Sequence, residues 1–153
     1  MIENYLTKAL REKITEVVKD FRLPVKNGEP RPPTVINGYL PPKRTGAEDD
    51  FPFILVRAES GKSEEKSTTI DVAIVIGCYS KEYDAHEDCI NVMTRIRLAL
   101  ASMENGILDN RFVLQYPIEW TLLPEQPYPQ WQLDIQTHWV CRNPQATFKT
   151  EEF

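Results

Sequence analysis

Histidine and cysteine are scarce in this chain, with two and three copies in 153 residues. A zinc centre needs three or four ligands in tetrahedral reach, and Cys78, Cys89 and Cys141 show no metal-ligand spacing. Their odd number also argues against a disulfide framework and fits a reducing cytoplasm. Glycine is sparse too: Gly61-Lys62-Ser63 lacks the earlier glycine and the following helix of a phosphate cradle. No apolar run approaches the roughly 20 residues a membrane helix requires. The opening MIENYLTKALREKI carries charge throughout, unlike a signal peptide. Net charge is −5, and the basic residues are scattered. That disfavours tight binding to phosphate backbones, which depends on clustered Lys and Arg.

What the chain does have is a strong central stretch, residues 69–106, TIDVAIVIGCYSKEYDAHEDCINVMTRIRLALASMENG. Ile70, Val72, Ile74, Ile76 and Cys78 share one face of an extended segment, and the opposite face is apolar through its middle. This predicts an interior strand covered on both sides, with Gly77 leaving room for close packing. An amphipathic helix follows, with Cys89, Val92, Met93, Ile96, Ala99, Leu100 and Met103 on one stripe. The residue types predict Asp84 as its N-cap, Glu87 reaching back, and Asn105-Gly106 as a left-handed stop.

Residues 2–21 alternate as a second amphipathic helix, placed on one sheet face or against a partner subunit. Residues 22–52 hold seven of the twelve prolines, which excludes most regular structure. This segment reads as a surface excursion, or as an arm that orders against a neighbour, with a short strand near 34–40 turning at Asn37-Gly38. Residues 53–58 read as a short strand and the charged ESGKSEEKST at 59–68 as a mobile loop. Residues 111–123, interrupted by Pro117, and the cleanly alternating 131–141 predict a long bent hairpin. The expected fold is one α+β domain over 1–142, with a mixed, mainly antiparallel sheet of four to five strands flanked by two main helices. Residues 143–153 read as a flexible C-terminal tail in which Phe148 and Phe153 are unexplained.

Candidate chemistry is thin. His86-Glu87-Asp88-Cys89 is the densest run of potential ligands, but it reads as a polar first helical turn with Cys89 entering the core. His138 and Cys141 lie three apart on a strand and face opposite ways. Nothing marks a thiol as activated. Trp120, Tyr128, Trp131 and Trp139 lack the basic groove of a base-stacking platform, so core or subunit contact fits them better. The residues therefore predict no catalytic, cofactor or metal site.

The layout of an N-terminal helix, a proline-rich excursion, FPFILVRAESG, TTIDVAIVIGCYSKEYDAHEDCINVMTRIRLAL and RFVLQYPIEWTLLPEQPYPQWQLDIQTHWVC resembles the tail-completion and tail terminator proteins of long-tailed bacteriophages and prophages. The likeness spans roughly residues 1–142. It implies a structural, non-enzymatic subunit of a ring, typically a hexamer, at the head–tail joint. Such a ring caps the tail tube, docks the head-completion protein and lets DNA pass through an acidic lumen without specific binding. The implied partners are further copies of the chain, the major tail tube protein and the head connector, with no membrane. The implied location is the virion tail end, or the host cytoplasm during assembly. The arm and charged loop suit contacts between subunits, which places Tyr39, Lys43, Arg44, Arg57, Lys62, Glu64, Glu65 and Lys66 at the expected interface. Two rivals carry different expectations: a bacterial small-ligand-binding or adaptor module using Gln132, Gln136 and His138, and a small enzyme built on His86, Glu87 and Cys89.

Overall fold

A computed structural model describes residues 1–40 and 50–143. Helix α1 spans Ile2–Val18, and strands follow as β1 (Thr34–Asn37), β2 (Phe53–Ser63) and β3 (Ser67–Tyr79). Helix α2 spans His86–Ala101 and leads to β4 (Ile107–Leu108), β5 (Phe112–Leu122) and β6 (Gln130–Arg142). The expected α+β class with two helices holds, but among the described residues the sheet has six strands, in the order β1-β2-β3-β6-β5-β4. Only β1 and β2 pair in parallel; every other neighbouring pair is antiparallel. Because β6 is antiparallel to both β3 and β5, those two run the same way. Helix α2 therefore crosses over β6 to join them.

Both helices cover one face. Helix α1 packs on β1 and β2, α2 packs on β3 and β6, and the two helices touch each other. In α1, Leu6, Leu10, Ile14 and Val18 recur every fourth residue and are all buried. They meet Ile70, Val72, Ile74 and Ile76 of β3 in the main core, together with Met93, Ile96 and Leu100 of α2. The opposite face of β3 is buried as well. There Val75 and Tyr79 join Phe51, Phe53 and Leu55 in a second cluster, with Ile36 and Leu40 packed on it.

Gly77 makes that second layer possible. A Cβ at this position would lie 2.3 Å from the Phe53 ring and 2.9 Å from the Phe51 ring. The two rings meet edge to face with centroids 4.8 Å apart, so they occupy the space that a side chain would need.

Several expectations are corrected. Residues 59–68 are not a mobile loop, because β2 and β3 continue through them as a paired ribbon, Ser63 opposite Thr68 and Lys62 opposite Thr69. Backbone bonds and the Ser63–Thr68 hydroxyl contact at 2.9 Å hold this ribbon without apolar burial. Helix α1 ends at Val18 rather than 21, where Arg22 donates to the carbonyls of Lys19 and Phe21.

Helix α2 begins at His86 with Ala85 as its N-cap and no side-chain cap. Asp84 contributes its backbone carbonyl to the Glu87 amide at 3.0 Å, because a preceding turn already places Ala85 in helical geometry. Asn105 and Gly106 do adopt positive φ, of 56° and 69°, but four residues beyond the helix. The helix itself closes at Ser102, whose hydroxyl donates to Leu98 O at 2.7 Å.

The bent hairpin is present: β5 and β6 pair antiparallel with a register shift between Gln115 and Glu119, at Pro117. Part of the proline-rich segment is ordered by pairing, through β1 and a bridge from Leu23 to Arg31. The arm's residues 41–49 and the tail's 144–153 lie outside the described residues. No helix among the described residues is long and apolar enough to cross a membrane.

Gly77→Ala is expected to destabilise the protein by about 1–3 kcal/mol through overpacking. Urea denaturation reads this as a lower midpoint at unchanged slope. Phe53→Leu in the same chain should restore part of the loss. An unchanged midpoint for Gly77→Ala would show that the Phe53 ring is free to move aside.

Candidate interaction surface

The residues expected at an interface fall into two groups along β2. Tyr39 is 70% exposed, and its ring lies under the Arg57 guanidinium at 4.1 Å. Arg57 Nε donates to Gly38 O at 3.2 Å, and Nη1 lies 3.6 Å from Glu59. At the other end stand Lys62 on the ribbon and Glu64, Glu65 and Lys66 in its turn. Seven residues of strand, roughly 23 Å, separate Arg57 from Glu64. The predicted residues thus form two patches, one at each end of an exposed strand. Lys43 and Arg44 lie outside the described residues.

Beta pairing explains why this strand is exposed. The partner β1 covers β2 only from Phe53 to Val56. Gly38 then donates to Val56 O at 2.8 Å and turns the chain away with φ +88°. From residue 58 onward β2 has β3 on its inner side and, among the described residues, no strand on its outer side. A register shift between Ala58 and Ser60 bends the strand there. Bulges and lysine on an open edge hinder indiscriminate pairing with other chains. The opposite end of the sheet is blunted in the same way: β4 covers only Phe112 and Val113, and Pro117 interrupts β5.

Two surface features escaped the reading of the residues. Beyond the helices' main contacts, β5 and β4 present Tyr116, Trp120 and Ile107 as exposed apolar side chains. The helix periodicity predicted cover for the sheet but not how many strands two helices reach. The second feature is a cross-strand clasp on the face opposite the helices. His138 Nδ1 lies 2.6 Å from Asp71 Oδ1, while Ser60 Oγ donates to Asp71 Oδ2 at 2.8 Å. Alternation placed His138 on the wet face, but only the register of β3 against β6 sets it opposite Asp71. The same face carries Gln132, Asp134 and Gln136 in line along β6, each half-buried. One carboxylate oxygen of Asp134 is buried with no hydrogen-bond partner among the described residues.

The run His86-Glu87-Asp88-Cys89 is dispersed by the helix. His86 sits against the Trp131 ring at 6.1 Å, and Cys89 is buried with its thiol donating to Trp131 O at 3.6 Å. Among the described residues no three His, Cys, Asp or Glu side chains come together as a metal cage. The Cys89 hydrogen bond and burial push the Cys78 thiol well above its ordinary value. Burial also raises Cys141. These shifts favour the thiol over the thiolate, the reverse of what a nucleophile requires. Trp139 is fully buried with its indole N–H on Thr137, and Trp131 bonds Ser80 O, so both are structural.

No protein-family model matches the chain, and no curated protein matches it in sequence.

The clasp gives the acid limb of stability a sign. The hydrogen bond from His138, then that from Ser60, holds the Asp71 carboxyl below its ordinary value. Such a group adds stability that is complete above the free carboxyl value, near pH 4, and is lost as pH falls through the lower folded value. The melting temperature of Asp71→Asn should therefore depend less on pH below about pH 4 than that of the parent. Parallel profiles for the two proteins would exclude an energetic role for the clasp.

Proposed function

We propose that the protein is a non-enzymatic structural subunit that associates with copies of itself head to tail in a closed ring. The observation that carries this reading is the chemical difference between the two ends of its sheet. One end is the polar outer side of β2, with Arg57 at one point and Lys62 and the Glu64-Glu65-Lys66 turn farther along; the other exposes Tyr116, Trp120 and Ile107. Two unlike surfaces at opposite ends of one subunit support a heterologous contact, and such contacts close into rings when the rotation fits. Aromatic residues and arginine are the side chains that interfaces enrich.

The layout of the chain supports placing this ring at the head–tail joint of a long-tailed bacteriophage or prophage. There it would cap the tail tube, dock the head-completion protein and leave a lumen for DNA. Six subunits is the number this resemblance implies. A net charge of −5 suits a channel through which DNA slides, because phosphate is repelled rather than held. The virion tail end, or the host cytoplasm during assembly, is the corresponding location.

Native mass spectrometry and static light scattering of the protein, alone and with major tail tube protein, test this reading. The expected result is a hexamer in at least one condition. Trp120→Ala should weaken that assembly by about thirtyfold, the loss typical of truncating an interface hot spot of about 2 kcal/mol. A strict monomer in both conditions would overturn the proposal.

A further inference from the structure

Strand β2 is exposed at every position from Ala58 to Ser63, and among the described residues no strand covers its outer side there. The register shift against β3 between Ala58 and Ser60 leaves Glu59 as an extra residue. Side chains along this stretch sort onto two faces. Arg57 follows Phe53 and Leu55 on the face opposite the helices, and Glu59 reaches Arg57 there. Ser60 is on the same face, since its hydroxyl donates to Asp71. Alternation then adds Lys62 and Glu64. The helix side is left with Ala58, Gly61 and Ser63, all small.

Those small residues border a hollow of about 510 Å³ whose other wall is the first turn of α1, at Glu3 and Asn4. An open strand edge is satisfied by a strand added to it. A strand entering beside β2 passes under that turn, so its own helix-side residues must be small. The stretch 58–63 meets this requirement itself.

Charge selects the same occupant. Two antiparallel strands related by a two-fold axis keep their faces, and the residue on the axis meets its own copy. With Gly61 on the axis and Glu59 as the extra residue, Ala58 stands opposite Ser63 of the second copy, and Ser60 opposite Lys62. Arg57 stands opposite Glu64. Lys62 then lies beside the second copy's Glu59, on the same face. Lys62 and Glu64 have no ion pair among the described residues, so each gains a facing charge of opposite sign. Moving the axis to Lys62 sets that lysine against its own copy, a like-charge pair that disfavours the shifted register.

We infer that the open edge of β2 is a self-pairing surface, at which two copies of the chain join antiparallel about a two-fold axis at Gly61. The bulge and the charges that hinder other strands are complementary to themselves in this one register. The inference does not rest on the ring. Both contacts use the outer side of β2, so a subunit in a ring has exchanged the pair for the head-to-tail contact.

Sedimentation equilibrium of the full chain up to about 0.5 mM tests the inference and should show a reversible dimer. Amides among residues 58–63 should gain protection from hydrogen exchange as concentration rises. Lys62→Glu should weaken the dimer about tenfold, because the axis repeats each like-charge contact. Glu59→Lys should weaken it similarly. An equimolar mixture of the two variants should dimerise at the parental strength, since every facing charge is then of opposite sign; misfolded variants could not do so. A monomer throughout overturns the inference, as does a dimer that both variants leave unchanged or a mixture that restores nothing. Edge protection that ignores concentration also overturns it, because the edge is then covered within one subunit. Trp120→Ala should leave the dimer intact while weakening the hexamer, which separates a failure of the pair from a failure of the ring.

Discussion

Strand β3 is apolar on both faces, and the rest of the structure answers that constraint. An extended segment with Ile70, Val72, Ile74 and Ile76 on one side and Val75 and Tyr79 on the other is satisfied only at the centre of three layers. Each such side chain, fully buried, contributes on the order of 1.5–3 kcal/mol. Exposing the four on the helix side would forfeit about 6–12 kcal/mol, comparable with the whole stability margin of a small domain. The two helices supply one cover. The aromatic pair Phe51 and Phe53, seated on the bare backbone of Gly77, supplies part of the other.

This arrangement determines what remains at the surface. The helices' contacts concentrate on β1, β2, β3 and β6, and β5, whose Phe112 and Leu114 join the main core, carries Tyr116 and Trp120 into solvent farther along. At the other end β1 is four residues long while β2 is eleven, and the excess of β2 projects as half of a polar ribbon. Both ends carry devices that hinder unselective strand pairing: a register shift and lysine on β2, a proline on β5. Recognition at such ends rests on particular side chains and on segments able to fit a bent edge. That favours assembly with a chosen partner over open-ended aggregation.

The polar groups of the chain are arranged for structure in the places where chemistry was sought. Burial raises the Cys78 and Cys141 thiols, the Trp131 and Trp139 N–H groups are spent on backbone and threonine oxygens, and His86 rests on an indole. The remaining titratable group of interest, His138, is engaged with Asp71 across two strands. Its partner Asp71 also accepts from Ser60, so one carboxylate ties β2, β3 and β6 together on the face without helices.

The sequence alone determined the elements whose signals are local. Four-residue spacing in α1 and α2, two-sided hydrophobicity in β3, alternation in β6 and the interruption at Pro117 all report burial that side chains experience wherever the element is docked. The close approach at Gly77 was legible for the same reason, since a residue without a side chain inside an apolar strand leaves room for a neighbour. What only the tertiary structure decided depends on register and reach. The ribbon at 59–68 lacks any apolar signal, because its stability comes from backbone pairing with β3, and backbone bonds carry no residue code. The Asp71–His138 contact required the offset of two strands 67 residues apart to be known. The exposure of Tyr116 and Trp120 follows from where β5 leaves the main core, which Phe112 and Leu114 still join. Spacing along a chain records which side of an element is dry, whereas which edge stays open is settled only when all the elements compete for the same cover.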